Sequence, residues 1–316
     1  MYKKCFAIAK KLGYEITVDT TQKTFYILEI KNYDLSFFNK LGIDVIRFDV
    51  IPSPKIIADL TYNEYDIKIE IQMSNDDKVL ETILFYQPKL SNLWGCQNFY
   101  PQKFTGMSLK QFQNTSINFW MNRIKTTSYL SSENKSSAGP WLINDGTPTL
   151  EVCRELSAAT QTQVVWATSL VDDLIFANAP AAISEIKKIS KLDPYIIQLD
   201  IETVKEISEV EKEIIFNNVH FNRSDTNEFF IRSTQPRVKY INLENKARVL
   251  KSKDFFEIGD VLIGNNAAGL YKNELQIVTK KIPYDKKKNL VAKVSKENLI
   301  LLNYLYANKK FKFQLI

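Results

Sequence analysis

A short apolar strand ending on a polar residue, then an amphipathic helix, recurs six times before Pro194. No other feature of the chain constrains its fold as much. Strands are expected at 15–18, 43–48, 66–72, 93–96, 124–129 and 173–176. Helices are expected at 2–12, 35–41, after Asp77, after Ser108, and at 149–157, 161–169 and 181–191. Asp34, Asp77 and Ser108 stand where a helix N-terminus takes a side-chain cap. Gly13 and Gly42 stand where a helix ends in a left-handed residue. Strand and helix in alternation predict parallel α/β architecture, either an open doubly wound sheet or a barrel. In both, the carboxyl ends of the strands carry the chemistry. Here those ends hold Asp19, Asp49, Gln72, Gln97-Asn98 and Asn178.

After Pro194 the alternation stops. Short strands are expected at 195–199, 228–233, 238–242, 275–280 and 290–294, with a helix inside 203–215. The terminal KKFKFQLI alternates like an edge strand guarded by lysines. The chain therefore reads as residues 1–194, a (β/α) domain, and 195–316, a β-rich one. The net charge of +6 belongs to the C-terminal quarter, where residues 241–316 hold 15 Lys and Arg against 7 Asp and Glu. The three cysteines, Cys5, Cys96 and Cys153, have neither disulfide nor zinc spacing. The most apolar stretch, 164–182, is interrupted by Asp172-Asp173, and the apolar run before Lys10-Lys11 is too short for a signal peptide. A cytoplasmic protein without metal or cofactor is expected.

Several strings are more specific than turns: NFYPQKFTG (98–106), GPWLINDGTPTLE (139–151), IRST (231–234) and IGNNAAGLYKNELQI (263–277). With DLSFFNKLGIDVIRFD (34–49) and EVEKEIIFNNVH (209–220), they resemble the 6-phospho-N-acetylmuramidase family of low-GC Gram-positive bacteria, in the family's order and over the whole chain. The resemblance implies a TIM-type (β/α)₈ barrel followed by a cyclophilin-like β-barrel. It implies hydrolysis of a disaccharide whose N-acetylmuramic acid carries a 6-phosphate, a small-molecule phosphosugar met in peptidoglycan recycling. The departures are specific. The family's first two strands, with their Tyr-Pro-Glu string, have no counterpart in the 316 residues, so an N-terminally incomplete barrel of six strands is expected. Gln97 and Cys153 stand where the family keeps histidines. A second reading therefore stays open: a degenerate member that binds a sugar phosphate without cleaving it.

A glycosidase of this kind needs two carboxyl groups across the scissile bond. Asp49 and Glu151 are the expected catalytic pair. Asp19, Glu70, Gln72, Gln97, Asn98, Tyr100 and Asn178 are the expected substrate-binding residues. Gln97 can hold a sugar hydroxyl but cannot transfer a proton as histidine does. Phosphate donors are sought in the 130–140 loop, with Ser131, Ser132 and Lys135, and at the helix opening near 178–181. His220, the single histidine, is expected to be structural. The basic run KKIPYDKKKNLVAK (280–293) raises a third reading, a nucleic-acid protein. Lysines at hairpin tips explain that run without such a partner.

Overall fold

The computed structural model describes residues 2–75, 77–143, 145–248 and 254–316. The chain forms two compact units: Met1–Ala158 with Ser169–Ile183, and Ala159–Thr168 with Ser184–Ile316.

The first unit winds β1 (Thr17–Thr20), β2 (Val45–Phe48), β3 (Lys68–Gln72), β4 (Leu93–Cys96), β5 (Lys125–Leu130) and β6 (Asp173–Phe176) into one parallel sheet. Each strand pairs with its neighbour in sequence, so the order never reverses. A doubly wound sheet reverses at its switch point, whereas this winding is that of a barrel. The result is a six-stranded half-barrel, the incomplete TIM-type fold expected. Helices α1 (Tyr2–Lys11), α2 (Gln22–Ile27), α3 (Ser36–Leu41), α4 (Pro54–Leu60), α5 (Val79–Phe85) and α6 (Leu109–Met121) accompany it. Ser53 and Ser108 cap α4 and α6 through their side chains, and Gly42 ends α3 at φ 77°.

Strand periodicity divides the sheet's residues between two faces. Ile46, Phe48, Ile69, Ile71 and Leu93 join Phe25, Phe38, Ile57, Ile83 and Phe119 in one buried core. The other parity carries Asp19, Arg47 and Glu70, which the register sets side by side on β1, β2 and β3. So one face of the sheet is built for packing and the other for polar work.

The second unit begins with α7 (Ala158–Ala167) and α8 (Ile183–Ile189), whose first residues are counted in the half-barrel. It continues through β7 (Ile196–Thr203), α9 (Glu209–Phe216), β8 (His220–Phe221), β9 (Phe230–Ser233), α10 (Gln235–Lys239), β10 (Phe255–Phe256) and β11 (Asp260–Gly264). It ends with β12 (Leu275–Val278), β13 (Ile282–Pro283), β14 (Lys288–Val294) and β15 (Lys310–Leu315). Seven strands form a mixed sheet in the order β8-β15-β7-β14-β11-β12-β9. The ends of this sheet meet: Arg223 donates its backbone N–H to the Arg232 carbonyl at 3.0 Å, and the Arg232 N–H reaches Asn222 Oδ1 at 3.0 Å. The sheet thus curls into a nearly closed barrel. His220 is fully buried, bonded to Ser233 Oγ at 2.9 Å and stacked on Phe311, and its burial lowers its pKa to about 4.

Several expectations are corrected. KKFKFQLI is not an edge: β15 lies between β7 and β8, and its alternate Phe311 and Phe313 are core. The strand expected at 238–242 is α10 and a turn, because Pro236 fits the first turn of a helix and cannot donate in a sheet. The inner strand β11 is not predicted by periodicity, because DVLIG is buried at every position and shows no alternation. The helix expected at 149–157 is a three-residue 3₁₀ turn, Glu151–Cys153.

Gly95 on β4 marks a close approach between that strand and α6 in the half-barrel core. A Cβ there would stand 2.6 Å from the Phe119 ring of α6 and 3.1 Å from Met73 Sδ. Gly95→Ala is expected to lower stability by about 1–3 kcal/mol through overpacking, read as a lower urea midpoint at unchanged m-value. An unshifted midpoint would show that α6 does not lie against this strand.

Candidate active site

Arg47 is a charged residue in the middle of an apolar strand, VIRF, and its side chain is 4% exposed. A buried guanidinium requires partners, and the strand ends supply them. Nη1 donates to Asp19 Oδ1 at 3.0 Å and Nη2 to Asn98 Oδ1 at 2.9 Å. Asp49 Oδ1 lies 3.9 Å from Nη2, and Glu70 Oε2 lies 3.9 Å from Nε. Nε has no hydrogen-bond partner, since Glu70 stands just beyond reach. The Tyr129 ring centroid is 6.0 Å from the guanidinium carbon.

These carboxylates differ in environment. The Asp19 and Asp49 side chains are 63% and 57% exposed. Both line a cavity of about 500 Å³ with Arg47, Asn98, Phe99 and Trp141. Glu70 lies behind Arg47 at 3% exposure and does not line that cavity. Burial raises its pKa to about 7 against the opposing pull of Arg47. Burial also opposes the charge on Arg47, but the acidic groups around it, Cys96, Tyr129 and Asp19 among them, outweigh this and raise its pKa. The site therefore combines an always-charged fork, two accessible carboxylates and a third carboxyl that holds its proton to near neutrality.

The remaining sequence candidates lie elsewhere or serve the scaffold. Glu151 takes four hydrogen bonds: from Arg154 Nε (2.7 Å) and Nη2 (2.6 Å), and from the backbone amides of Phe104 (2.9 Å) and Gly106 (2.7 Å). Arg154 and those amides lower its pKa to about 2 despite partial desolvation. Arg154 in turn donates to the carbonyls of Tyr100 and Gly146, so the pair laces the 98–106 and 139–151 strings together. A Cβ on Gly106 would fall 2.4 Å from Glu151 Oε2, which explains the glycine. Gln97 is fully buried, bonded to Ser74, Thr115 and Ser116. Cys153 is 2% exposed. Neither position that departs from the family's histidines therefore reaches the cavity. Tyr100 is held through its backbone carbonyl and amide. Gln72 accepts a long bond from Asn75. Asn178 bonds both the amide and the carbonyl of Ser132 and so closes the 130–140 loop. The helix expected from 181 starts at Ile183 and is seven residues long. Among the described residues no three His, Cys, Asp or Glu side chains group as metal ligands, and no helix is long and apolar enough to cross a membrane.

Sequence reasoning missed Arg47, Phe99, Tyr129 and Trp141. Only Arg47 left a signal, since a charge inside an otherwise apolar strand is rarely accidental.

Comparison with known proteins shows the family. Residues 1–191 match the family model described as 6-phospho-N-acetylmuramidase, N-terminal, and residues 197–314 match its C-terminal counterpart. An uncharacterized B. cereus protein of known structure superposes with a TM-score of 0.93 at 40% identity, covering 99% of this chain and 87% of that one. A conserved Enterococcus faecalis protein of unknown function shares the fold, with a TM-score of 0.73 at 20% identity over 99% of this chain and 84% of that one. No curated protein matches. With both of the family's models matched over nearly all of its length, the chain belongs to the 6-phospho-N-acetylmuramidase family.

Proposed function

We propose that this chain hydrolyses the glycosidic bond of a disaccharide whose N-acetylmuramyl residue carries a 6-phosphate, and that Asp19 and Asp49 supply the two carboxyl groups. The observation that carries the reading is the pair of accessible carboxylates held on either side of Arg47 at strand carboxyl ends, in a chain of this family. Glycoside hydrolysis proceeds through an oxocarbenium-like transition state flanked by two carboxyl groups. Arg47 fixes the Asp19 carboxylate by a direct bond and stands 3.9 Å from the Asp49 carboxylate. Phe99 and Trp141 offer the cavity apolar faces suited to a sugar ring. Glu70 is a positioning residue acting through Arg47. Glu151 has no part in the reaction, because its carboxylate is consumed by Arg154 and two amides. The departures at Gln97 and Cys153 remove no reacting group, because both side chains are buried away from the cavity.

Incubation with the 6-phosphorylated disaccharide is expected to release both monosaccharides. Asp49→Asn is expected to lower kcat about 10²–10⁴-fold with little change in stability, its side chain being largely exposed. Glu151→Gln is expected to do the reverse: it leaves the Arg154 charge without its carboxylate and costs about 2–3 kcal/mol in denaturant titration, with far less effect on kcat. Binding of intact disaccharide by the folded wild type, without turnover, would select the non-catalytic reading. A folded Glu151→Gln that is stable but inert would return Glu151 to the catalytic pair.

Glu70 also gives stability a pH dependence. Between pH 4.5 and about 7 the folded chain keeps a proton that an ordinary glutamate in the unfolded chain has released. Its contribution is complete below that window, falls as pH rises through it, and is flat above. The fall is on the order of 3 kcal/mol. Glu70→Gln imitates the protonated form, so its Tm should gain on the wild type as pH rises from 4.5 to 7. Parallel Tm curves across that range would show that Glu70 is ionised throughout.

A further inference from the structure

The β-barrel of the second unit holds a cavity of about 760 Å³ that no role in hydrolysis accounts for. Two of the specific strings meet in it. IRST contributes Arg232 on β9, and IGNNAAGLYKNELQI contributes Gly264, Tyr271 and Gln276. Gly264 is required for the approach: a Cβ there would stand 2.2 Å from the Tyr271 carbonyl oxygen. The close contact sets Tyr271 at the cavity wall.

The wall is cationic and aromatic. Glu274, fully buried, receives Arg232 Nε at 2.8 Å and Nη2 at 3.2 Å, and Arg237 Nη1 at 3.5 Å. Two guanidiniums thus share one carboxylate, and both stand 5.6 Å from the Tyr271 centroid. Gln276 relays the same carboxylate: its Nε2 donates to Glu274 Oε1 at 2.8 Å, and its Oε1 accepts from Lys288 Nζ. Lys288 is half-buried, 4.7 Å from the Phe230 centroid, and pairs with no carboxylate among the described residues. Its burial lowers its pKa. Arg223 and Asp225 neutralise each other. Of the charged residues that line the cavity, Arg232, Lys287 and Lys288 stand against Asp225 and Asp285, three cations to two carboxylates. The lining is net positive, and in a concave, partly desolvated wall charge acts more strongly than in water.

Arg232 and Lys288 offer two cationic donors on one wall, a pairing that suits the several oxygens of a phosphate. Arg232 Nη1 and Lys288 Nζ retain N–H groups for phosphate oxygens, and Phe230 and Tyr271 present rings to whatever carries the phosphate. Asp225 and Asp285 on the same wall disfavour an extended polyanion such as a nucleic acid. We propose that this cavity binds a phosphomonoester carried on a small ring, the phosphate between Arg232 and Lys288 and the ring against Phe230 and Tyr271. The inference concerns the second unit by itself and holds whether or not the half-barrel cleaves a glycoside.

Calorimetric titration of the full chain tests it with three probes: glucose 6-phosphate, inorganic phosphate and glucose. Glucose 6-phosphate is expected to bind saturably, inorganic phosphate more weakly because it lacks the ring, and glucose not at all. Lys288→Gln should weaken both phosphates about tenfold or more. Tyr271→Ala, at a residue that is half exposed, should weaken glucose 6-phosphate and spare inorganic phosphate. The proposal is overturned by no saturable phosphate binding up to about 10 mM, by phosphate affinity unaltered in Lys288→Gln, or by equal affinity for glucose 6-phosphate and glucose. Equal affinity for glucose 6-phosphate and inorganic phosphate would overturn the place given to the ring.

Discussion

The charge of Arg47 is the constraint on which the half-barrel's working face depends. A guanidinium cannot lose its proton, so burying it on β2 obliges the neighbouring strands to present acceptors. Parallel register does this directly, setting Asp19 and Glu70 opposite Arg47 on β1 and β3, while Asp49 and Asn98 follow from the ends of β2 and β4. The cost of desolvating the fork is offset by this ring of partners. The same ring creates unlike carboxyl groups, two open to the cavity and one shielded and half-titrated near neutrality.

Around this centre the chain uses further polar residues as scaffold. The Glu151–Arg154 pair ties two loops at the rim and leaves no oxygen idle. Gln97 is locked under the β4 end by three hydroxyls. Asn178 plays the part of a backbone segment for Ser132. Specific strings thus divide by burial: those whose polar atoms are saturated hold the rim in place, and those whose polar atoms face a cavity are free to bind.

Much of the fold was legible because its rule is periodic. The sequence predicts the 93–96 and 173–176 strands with their observed ends, and glycine and serine caps mark α3 and α6. What periodicity could not reach was a strand buried on every side, β11, and the partners of β15, whose alternating LysPheLysPhe looks the same at an edge as in the middle of a barrel. At the candidate site, Asp19, Asp49 and Asn98 were visible as polar strand ends. Arg47, which joins them, was hidden inside its strand, and the saturation of Glu151 is a tertiary fact that no spacing reveals. Burial decides which polar residue works, and burial is written in contacts between distant segments.

Arg47→Lys separates charge from geometry. Lysine keeps the positive charge but offers a point where arginine offers a fork, and it cannot reach Asp19, Asn98 and Asp49 together. With the 6-phosphorylated disaccharide as substrate, kcat/KM of the folded variant is expected to fall about 100-fold or more. Turnover equal to the wild type in a correctly folded Arg47→Lys protein would contradict the account and move the catalytic centre away from the β1–β3 rim.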